Sequence, residues 1–259
     1  MSGLDLINDK MARLLHMGLD LLCPAICPFC GEAAGQRSEL CAKCTAIYLS
    51  ERKRSCPQCG QTVERCVCGC EFSRYSRTVI DGRTHLSLSF YIGSQTARNN
   101  DYLTEQMILQ LKDHGRFARF FADRLSNEVE HLFDSAAIPL NDWILTYTPR
   151  SIANFTKAGL DQSVEVTRYM SRRLKIPCVK TFINVEGEEQ KTLSAEDRMV
   201  NACTTLVPRK KAIRKGGKYL LFDDIITSGA TVIAASRHLY FCGAAEVFPL
   251  SLARSVLKR

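Results

Sequence analysis

Ten of the thirteen cysteines in this 259-residue chain lie between Cys23 and Cys70; Cys178, Cys203 and Cys242 are scattered beyond. Such lopsided usage marks a small cysteine-rich module joined to a larger cysteine-poor domain. The module reads CPFCGEAAGQRSELCAKC and then CPQCGQTVERCVCGC. Cys27/Cys30, Cys41/Cys44 and Cys56/Cys59 are C-x-x-C pairs, and Cys66, Cys68 and Cys70 supply a fourth. A C-x-x-C turn sets two thiolates on one side of a tight knuckle, and two knuckles build a tetrahedral four-sulfur cage for Zn²⁺. Gly31 and Gly60 follow two of the knuckles and suit turns that aim backbone N–H groups at sulfur, while Pro28 and Pro57 stiffen them.

Two zinc ions are therefore expected. The first takes Cys27, Cys30, Cys41 and Cys44; the second takes Cys56, Cys59 and two of Cys66, Cys68 and Cys70, with Cys66 and Cys70 preferred. Interleaved ligation stays open, iron–sulfur is the alternative metal, and Cys23 reads as a spectator. Disulfides fit poorly, because repeated C-x-x-C pairs without an export signal favour metal. Four thiolates leave no open coordination position, so both sites read as structural.

Beyond the cysteines, apolar periodicity alternates between strand and helix. Thr84, Leu86, Leu88 and Phe90 alternate with His85, Ser87, Ser89 and Tyr91, the pattern of a half-buried strand, after an Asp81-Gly82 hairpin turn. Helices are expected over 101–114, ended by Gly115, then over 117–132, 163–174 and 230–241, the last closed by Gly243. Strands are expected over 143–148, 178–185, 218–222 and 245–252. This order implies an α/β domain with a mostly parallel sheet and flanking helices. The expected division is an N-terminal amphipathic helix over 1–22, a double zinc-ribbon module over 23–72 and an α/β domain over 73–259.

Parallel sheets of this kind bind ligands beyond the carboxyl ends of their strands. At such an end lies LLFDDIITSGATV, residues 220–232. Gly229 lets backbone approach a ligand, Thr227, Ser228 and Thr231 offer hydroxyls, and the loop runs into a helix N-terminus that favours an anion. Asp223 and Asp224 stand just before it. A bare phosphate would not want two carboxylates. A phosphorylated sugar would, with the loop on its phosphate and the acids on vicinal hydroxyls. Neither a P-loop nor a G-x-G-x-x-G fingerprint is present.

This stretch closely resembles the phosphoribosyl-pyrophosphate (PRPP) signature of type I phosphoribosyltransferases. Together with the cysteine knuckles, QKTLSAEDRMVN at 190–201 resembles the Q-x-x-L-S-x-x-x-R-x-x-N pattern of ComF-like proteins, which join a double zinc ribbon to a phosphoribosyltransferase domain. The resemblance runs from about residue 21 to residue 254. It implies that Asp223 and Asp224 contact the ribose 2- and 3-hydroxyls, as the catalytic acids. Thr227, Ser228, Gly229, Ala230 and Thr231 would cradle the 5-phosphate, and Pro149 and Arg150 would lie near the pyrophosphate loop. Residues 186–198 would take the place of a mobile loop, with Gln190, Lys191 and Arg198 suited to meet pyrophosphate. Mg²⁺ would accompany PRPP. Where the family has R-G-F-N-Q, this chain has Ala158-Gly159-Leu160-Asp161-Gln162, with Lys157 one residue early. An acid at 161 near a pyrophosphate is unfavourable unless Mg²⁺ intervenes.

The net charge of +8 suits an acidic ligand. Three function classes remain. One is ribosyl transfer from PRPP to an unidentified acceptor. The second is a non-catalytic PRPP- or nucleotide-binding protein, which the resemblance links to single-stranded DNA or DNA-uptake proteins. The third makes the ribbon purely a protein–protein or dimer contact. Phe72 and Tyr75, flanked by arginines in EFSRYSR, are a slender stacking surface for a strand. The N-terminus, MSGLDLINDKMARLLHMGLDLLCP, lacks the compact apolar stretch of a secretory signal, and no apolar run reaches the ~18 residues of a membrane span. A cytoplasmic protein is expected.

Overall fold

The computed structural model describes residues 25–35, 39–56, 59–63, 65, 66, 68, 75–91, 102–115, 117–150, 161–185 and 202–255. The N-terminal helix expected over 1–22 lies outside them, as do Cys70, Lys191, residues 158–160 and the segment 186–198. The chain divides into two compact units, Met1–Leu49 and Ser50–Arg259. The division falls between the two cysteine groups, so Cys56, Cys59, Cys66 and Cys68 share a unit with the sheet. Packing explains this: Cys56, Val63 and Cys66 bury against Phe90 of the first sheet strand.

In chain order the elements are α1 (Ala42–Arg52), β1 (Leu86–Tyr91), α2 (Leu103–His114), α3 (Ala118–Ser135), β2 (Trp143–Tyr147), α4 (Gln162–Leu174), β3 (Phe182–Asn184), β4 (Leu206–Pro208), β5 (Lys218–Ile226), α5 (Ala230–Phe241) and β6 (Glu246–Ser255). β1, β6, β5 and β2 form a parallel sheet in that spatial order. β3 and β4 pair antiparallel beside it. α3 and α4 pack on each other and on one face of the sheet; α5 and β4 cover the other. This is the mostly parallel sheet with flanking helices that the alternating pattern implied.

Burial on both faces explains the apolar runs of β2 and β5. All of β2 (WILTY) is buried, as are Tyr219, Leu220, Leu221 and Phe222 in β5. Side chains alternate across a strand. Tyr219 and Leu221 join Val232, Ile233 and Leu239 of α5 in one core cluster. Leu220 and Phe222 therefore face the α3/α4 side. There Phe133 meets Trp143 edge-to-face, ring centres 5.2 Å apart.

Turn chemistry follows the sequence closely. Asp81 and Gly82 both take positive φ, and Ile80 and Arg83 exchange both backbone hydrogen bonds, as a type I′ hairpin requires. Gly115 ends α2 in the left-handed conformation, with its N–H on the Leu111 carbonyl.

Three expectations need correction. β1 is not half-buried: His85, Ser87 and Ser89 are buried along with its apolar residues. Hydrogen bonds make this affordable, since Ser87 Oγ lies 2.6 Å from Ser251 Oγ on β6 and Ser89 donates to the Phe90 carbonyl. The strand expected over 178–185 divides, with Cys178 bridging Leu145 beside the main sheet and Phe182–Asn184 forming β3. Finally, β5 does not stop at Phe222 but runs through both acids to Ile226, paired with β6 up to Arg254.

Candidate functional site

The candidate sugar site is built at the carboxyl end of β5. Alternation sends Asp224 to the side of Leu220 and Phe222, where α4 begins. Its Oδ2 accepts from Gln162 Nε2 at 2.8 Å and lies 3.1 Å from Lys112 Nζ of α2. Its Oδ1 accepts from the Ile225 N–H at 2.7 Å. The Asp224 side chain is 14% exposed and that of Lys112 28%. Asp223 accepts from the Thr148 hydroxyl at 2.7 Å, just past the end of β2, and from the Asp224 N–H at 3.1 Å.

These neighbours split the two acids electrostatically. Burial, then the adjacent Asp224 charge, pushes Asp223 up to about 7, against the Thr148 hydroxyl. Burial also opposes the Asp224 charge, but Lys112 and Gln162 outweigh it and hold that carboxyl below its ordinary value. Near neutral pH the pair thus holds one fixed charge, on Asp224, and one proton in exchange on Asp223. Such an arrangement can both donate to and accept from vicinal hydroxyls.

The loop at 227–231 follows directly. Gly229 takes φ +85° as the N-cap of α5, a conformation that strains any other L-residue. Ala230 donates its N–H to Ser228 Oγ at 3.4 Å, while Thr227 is exposed. Asp223, Asp224, Thr227, Ser228, Gly229, Ala230 and Thr231 are therefore contiguous around one strand end, as their spacing in the chain requires.

Arg150 and Asp161 have framework roles. Asp161 is the N-cap of α4: Oδ1 accepts from the Ser163 N–H at 2.9 Å and Oδ2 from the Arg150 N–H at 3.0 Å. The Arg150 guanidinium donates to the Lys112 carbonyl at 2.9 Å, and the Pro149 carbonyl accepts from Asn184 Nδ2 at 3.1 Å. The carboxylate at 161 thus spends both oxygens on backbone donors.

Sequence reasoning missed Lys112 and Thr148. The only local signal for Lys112 was a cation near the end of α2, without any hint of which acid it meets. Gln162 stands at the last position of the R-G-F-N-Q pattern, and only the fold brings it to Asp224. Its side chain is buried, and its Oε1 has no partner among the described residues.

The two cysteine groups have the donor chemistry for metal. Cys27, Cys30, Cys41 and Cys44 bring four sulfurs within 4.8 Å of one another, and so do Cys56, Cys59, Cys66 and Cys68. In the first group Cys30 and Cys41 sulfurs lie 3.5 Å apart, near the edge of about 3.8 Å for a tetrahedron with Zn–S bonds of about 2.3 Å. Both knuckles are alike. Cys27 donates its N–H to the Glu32 carbonyl and Gly31 donates to Cys27; Cys56 donates to Gln61 and Gly60 donates to Cys56. Gly31 and Gly60 take φ of +79° and +70°.

Cys68, not the preferred Cys70, is the fourth sulfur of the second group among the described residues. Burial, then the Cys56 thiol beside it, pushes Cys66 up to about 12, so these sulfurs ionise together only around a cation. Both donor sets fit Zn²⁺.

The second group is anchored by Arg254, at the end of β6 and fully buried. Its guanidinium donates to the Cys66 and Cys68 carbonyls and lies 3.2 Å from Cys66 Sγ. Among the described residues no carboxylate pairs with it. A tetrathiolate holding Zn²⁺ would carry two net negative charges and would supply that counter-charge. No sequence signal singled out Arg254.

No family model and no curated protein matches the chain. Among solved structures, hypoxanthine phosphoribosyltransferase of Trypanosoma cruzi is similar over 53% of this chain and 64% of that one, with 11% identity and a TM-score of 0.35. A mutant of the T. cruzi enzyme in a ternary substrates complex is similar over 53% and 67%, with 11% identity and a TM-score of 0.35. A hypoxanthine phosphoribosyltransferase with alanine at an invariant aspartic acid gives 53% and 67%, 11% identity and a TM-score of 0.34. This chain thus spans just under two thirds of the length of the first. No helix among the described residues is long and apolar enough to cross a membrane.

Proposed function

We propose that the chain binds the 5-phosphoribosyl group of PRPP or ribose 5-phosphate and is a phosphoribosyltransferase of ComF-like type. The observation carrying this reading is the adjacency of Asp223 and Asp224, one bonded to Thr148 and the other to Lys112 and Gln162, to the Gly229-capped loop on a parallel strand end. The acids hold the ribose 2- and 3-hydroxyls, and the loop holds the 5-phosphate. Mg²⁺ accompanying PRPP would supply neutralisation of the pyrophosphate charge. Pro149, Arg150 and Lys191 are proposed on the pyrophosphate side. Lys112 keeps Asp224 charged and oriented, so that the chain contributes positioning and electrostatics to a reaction centre of oxocarbenium character.

Calorimetry with PRPP and Mg²⁺ on the native chain and on Asp224→Asn tests the site. Equal affinity in both would sink the ribose role. Pyrophosphate release across a panel of nucleobases and amines then separates a transferase from a binding protein. Tight PRPP binding with no release favours the non-catalytic alternative, to which the departure at 158–161 points. In that alternative the ligand is a signal, and single-stranded DNA or protein partners are engaged elsewhere on the chain.

A further inference from the structure

A cavity lies against α5, apart from the acids. It has a volume of about 590 Å³ and is lined by Tyr75, Arg77, Ser236, Arg237, Tyr240 and Phe241, among others. That volume falls within the usual range for small-ligand sites, roughly 300–1,000 Å³. Its lining combines three kinds of group that can meet a ligand.

The first is a pair of arginines in cation–π contact with tyrosines. The Arg237 guanidinium lies over the Tyr75 ring, 5.4 Å from its centre, and that of Arg77 over the Tyr240 ring at 5.0 Å. A cation–π contact does not consume a guanidinium's N–H donors, whose fork matches phosphate. Among the described residues neither arginine has a carboxylate partner. The Tyr240 ring is held in place from behind: its hydroxyl lies 3.1 Å from Thr78 Oγ1 and accepts from the Val247 N–H at 3.2 Å.

The second is exposed aromatic surface. Phe241 is 83% exposed and Tyr75 53%. Both are large rings in the wall of one cavity, available to stack on a planar ligand. The third is a buried hydroxyl. Ser236 is only 9% exposed, and its Oγ has no hydrogen-bond partner. A buried polar group without a partner costs free energy unless a ligand or water meets it.

We propose that this cavity is a binding site for a nucleoside monophosphate. The phosphate lies between Arg77 and Arg237, the base stacks on Tyr75 and Phe241, and Ser236 bonds a polar atom of the ligand. A single-stranded polymer fits less well, because these groups line one cavity and do not repeat along a track. The site is independent of the ribose-phosphate reading. It is built largely on α5, whose first turn carries Ala230 and Thr231, so its occupant touches the helix that the phosphate loop enters.

The test is isothermal titration of the full chain with AMP and with GMP. Parallel titrations use inorganic phosphate, a single-stranded oligonucleotide, and the variants Arg77→Ala, Arg237→Ala, Phe241→Ala and Asp224→Asn. The expected result is nucleotide binding that survives Asp224→Asn. It should fall at least tenfold in each arginine variant and several-fold in Phe241→Ala, with circular dichroism unchanged. Phe241→Ala guards against misfolding, since that side chain is almost fully exposed. Four results would overturn the proposal: no binding of either nucleotide, binding lost in Asp224→Asn but kept in Arg237→Ala, inorganic phosphate binding as tightly as nucleotide, or the oligonucleotide binding more tightly than the mononucleotides.

Discussion

The Lys112 ammonium lies 3.1 Å from an Asp224 carboxylate oxygen, joining the last turn of α2 to the end of β5. The pair is largely shielded, and the Gln162 amide donates to the same oxygen. Removing the cation leaves a shielded carboxylate with less support. Lys112→Met is expected to destabilise the fold by about 1–3 kcal/mol and to raise the Asp224 pKa. Chemical denaturation and side-chain carboxyl NMR titration measure both. An unmoved Asp224 titration would show that Gln162 and Ile225 suffice.

Asp223 carries the opposite sign of effect. Its folded pKa is raised from the ordinary 3.8 to about 7, so between these values the folded state binds the extra proton. The stability it contributes is present at low pH and is lost as pH rises toward 7. Asp223→Asn should therefore stabilise the chain at pH 8, on the order of 2 kcal/mol, and do little at pH 4. Melting curves at the two pH values check this. The same variant should weaken PRPP binding, the usual cost of a site held ready for a ligand.

His85 is buried just before β1, and burial first, then the Arg254 charge, lowers its pKa to about 4. Here the folded state binds fewer protons than the unfolded one between about 4 and 6.5. The associated stability is complete above 6.5 and is lost as pH falls toward 4. His85→Gln is expected to flatten the acid limb of the stability profile, by up to about 3 kcal/mol at pH 4. An unchanged limb would point to carboxylates instead.

Asp161 tests whether the departure from the family pattern is harmful or structural. As an N-cap, Asp161→Ala should cost about 1 kcal/mol or somewhat more, and Asp161→Asn should cost little because asparagine caps nearly as well. Thermal melts decide between them. PRPP affinity that rises tenfold in Asp161→Asn would instead mark the acid as a repulsive neighbour of the pyrophosphate.

Arg254 binds the second cysteine group to the sheet. Arg254→Leu should release zinc to a chelator tenfold or more faster than the native chain, the scale typical of lost outer-sphere support. Cys27→Ala should not affect that site. Zinc stoichiometry with a colorimetric chelator is the readout. Equal release rates would mean that the four sulfurs hold the ion unaided.

Much of the architecture was local enough to read directly. C-x-x-C-G knuckles set both Cys27/Cys30 and Cys56/Cys59, because turn geometry is decided within five residues. Asp81-Gly82, Gly115 and Gly243 marked their turns for the same reason. The adjacency of Asp223 and Asp224 to the 227–231 loop was fixed by the chain itself, since neighbours in sequence remain neighbours at a strand end. What the sequence left open depended on partners brought from far away. Nothing near residue 112 announces Asp224, and nothing near residue 254 announces Cys66. α2 has no side-chain cap of its own at Tyr102, and Glu51 supplies one by accepting from the Leu103 and Thr104 N–H groups at 2.6 and 2.8 Å. The extension of β5 through its acids and the opposed electrostatics of those acids also arose in three dimensions. Local periodicity and turns determine which elements form. Strand register and helix packing alone determine which charged groups converge, and convergence is what sets the chemistry of the site.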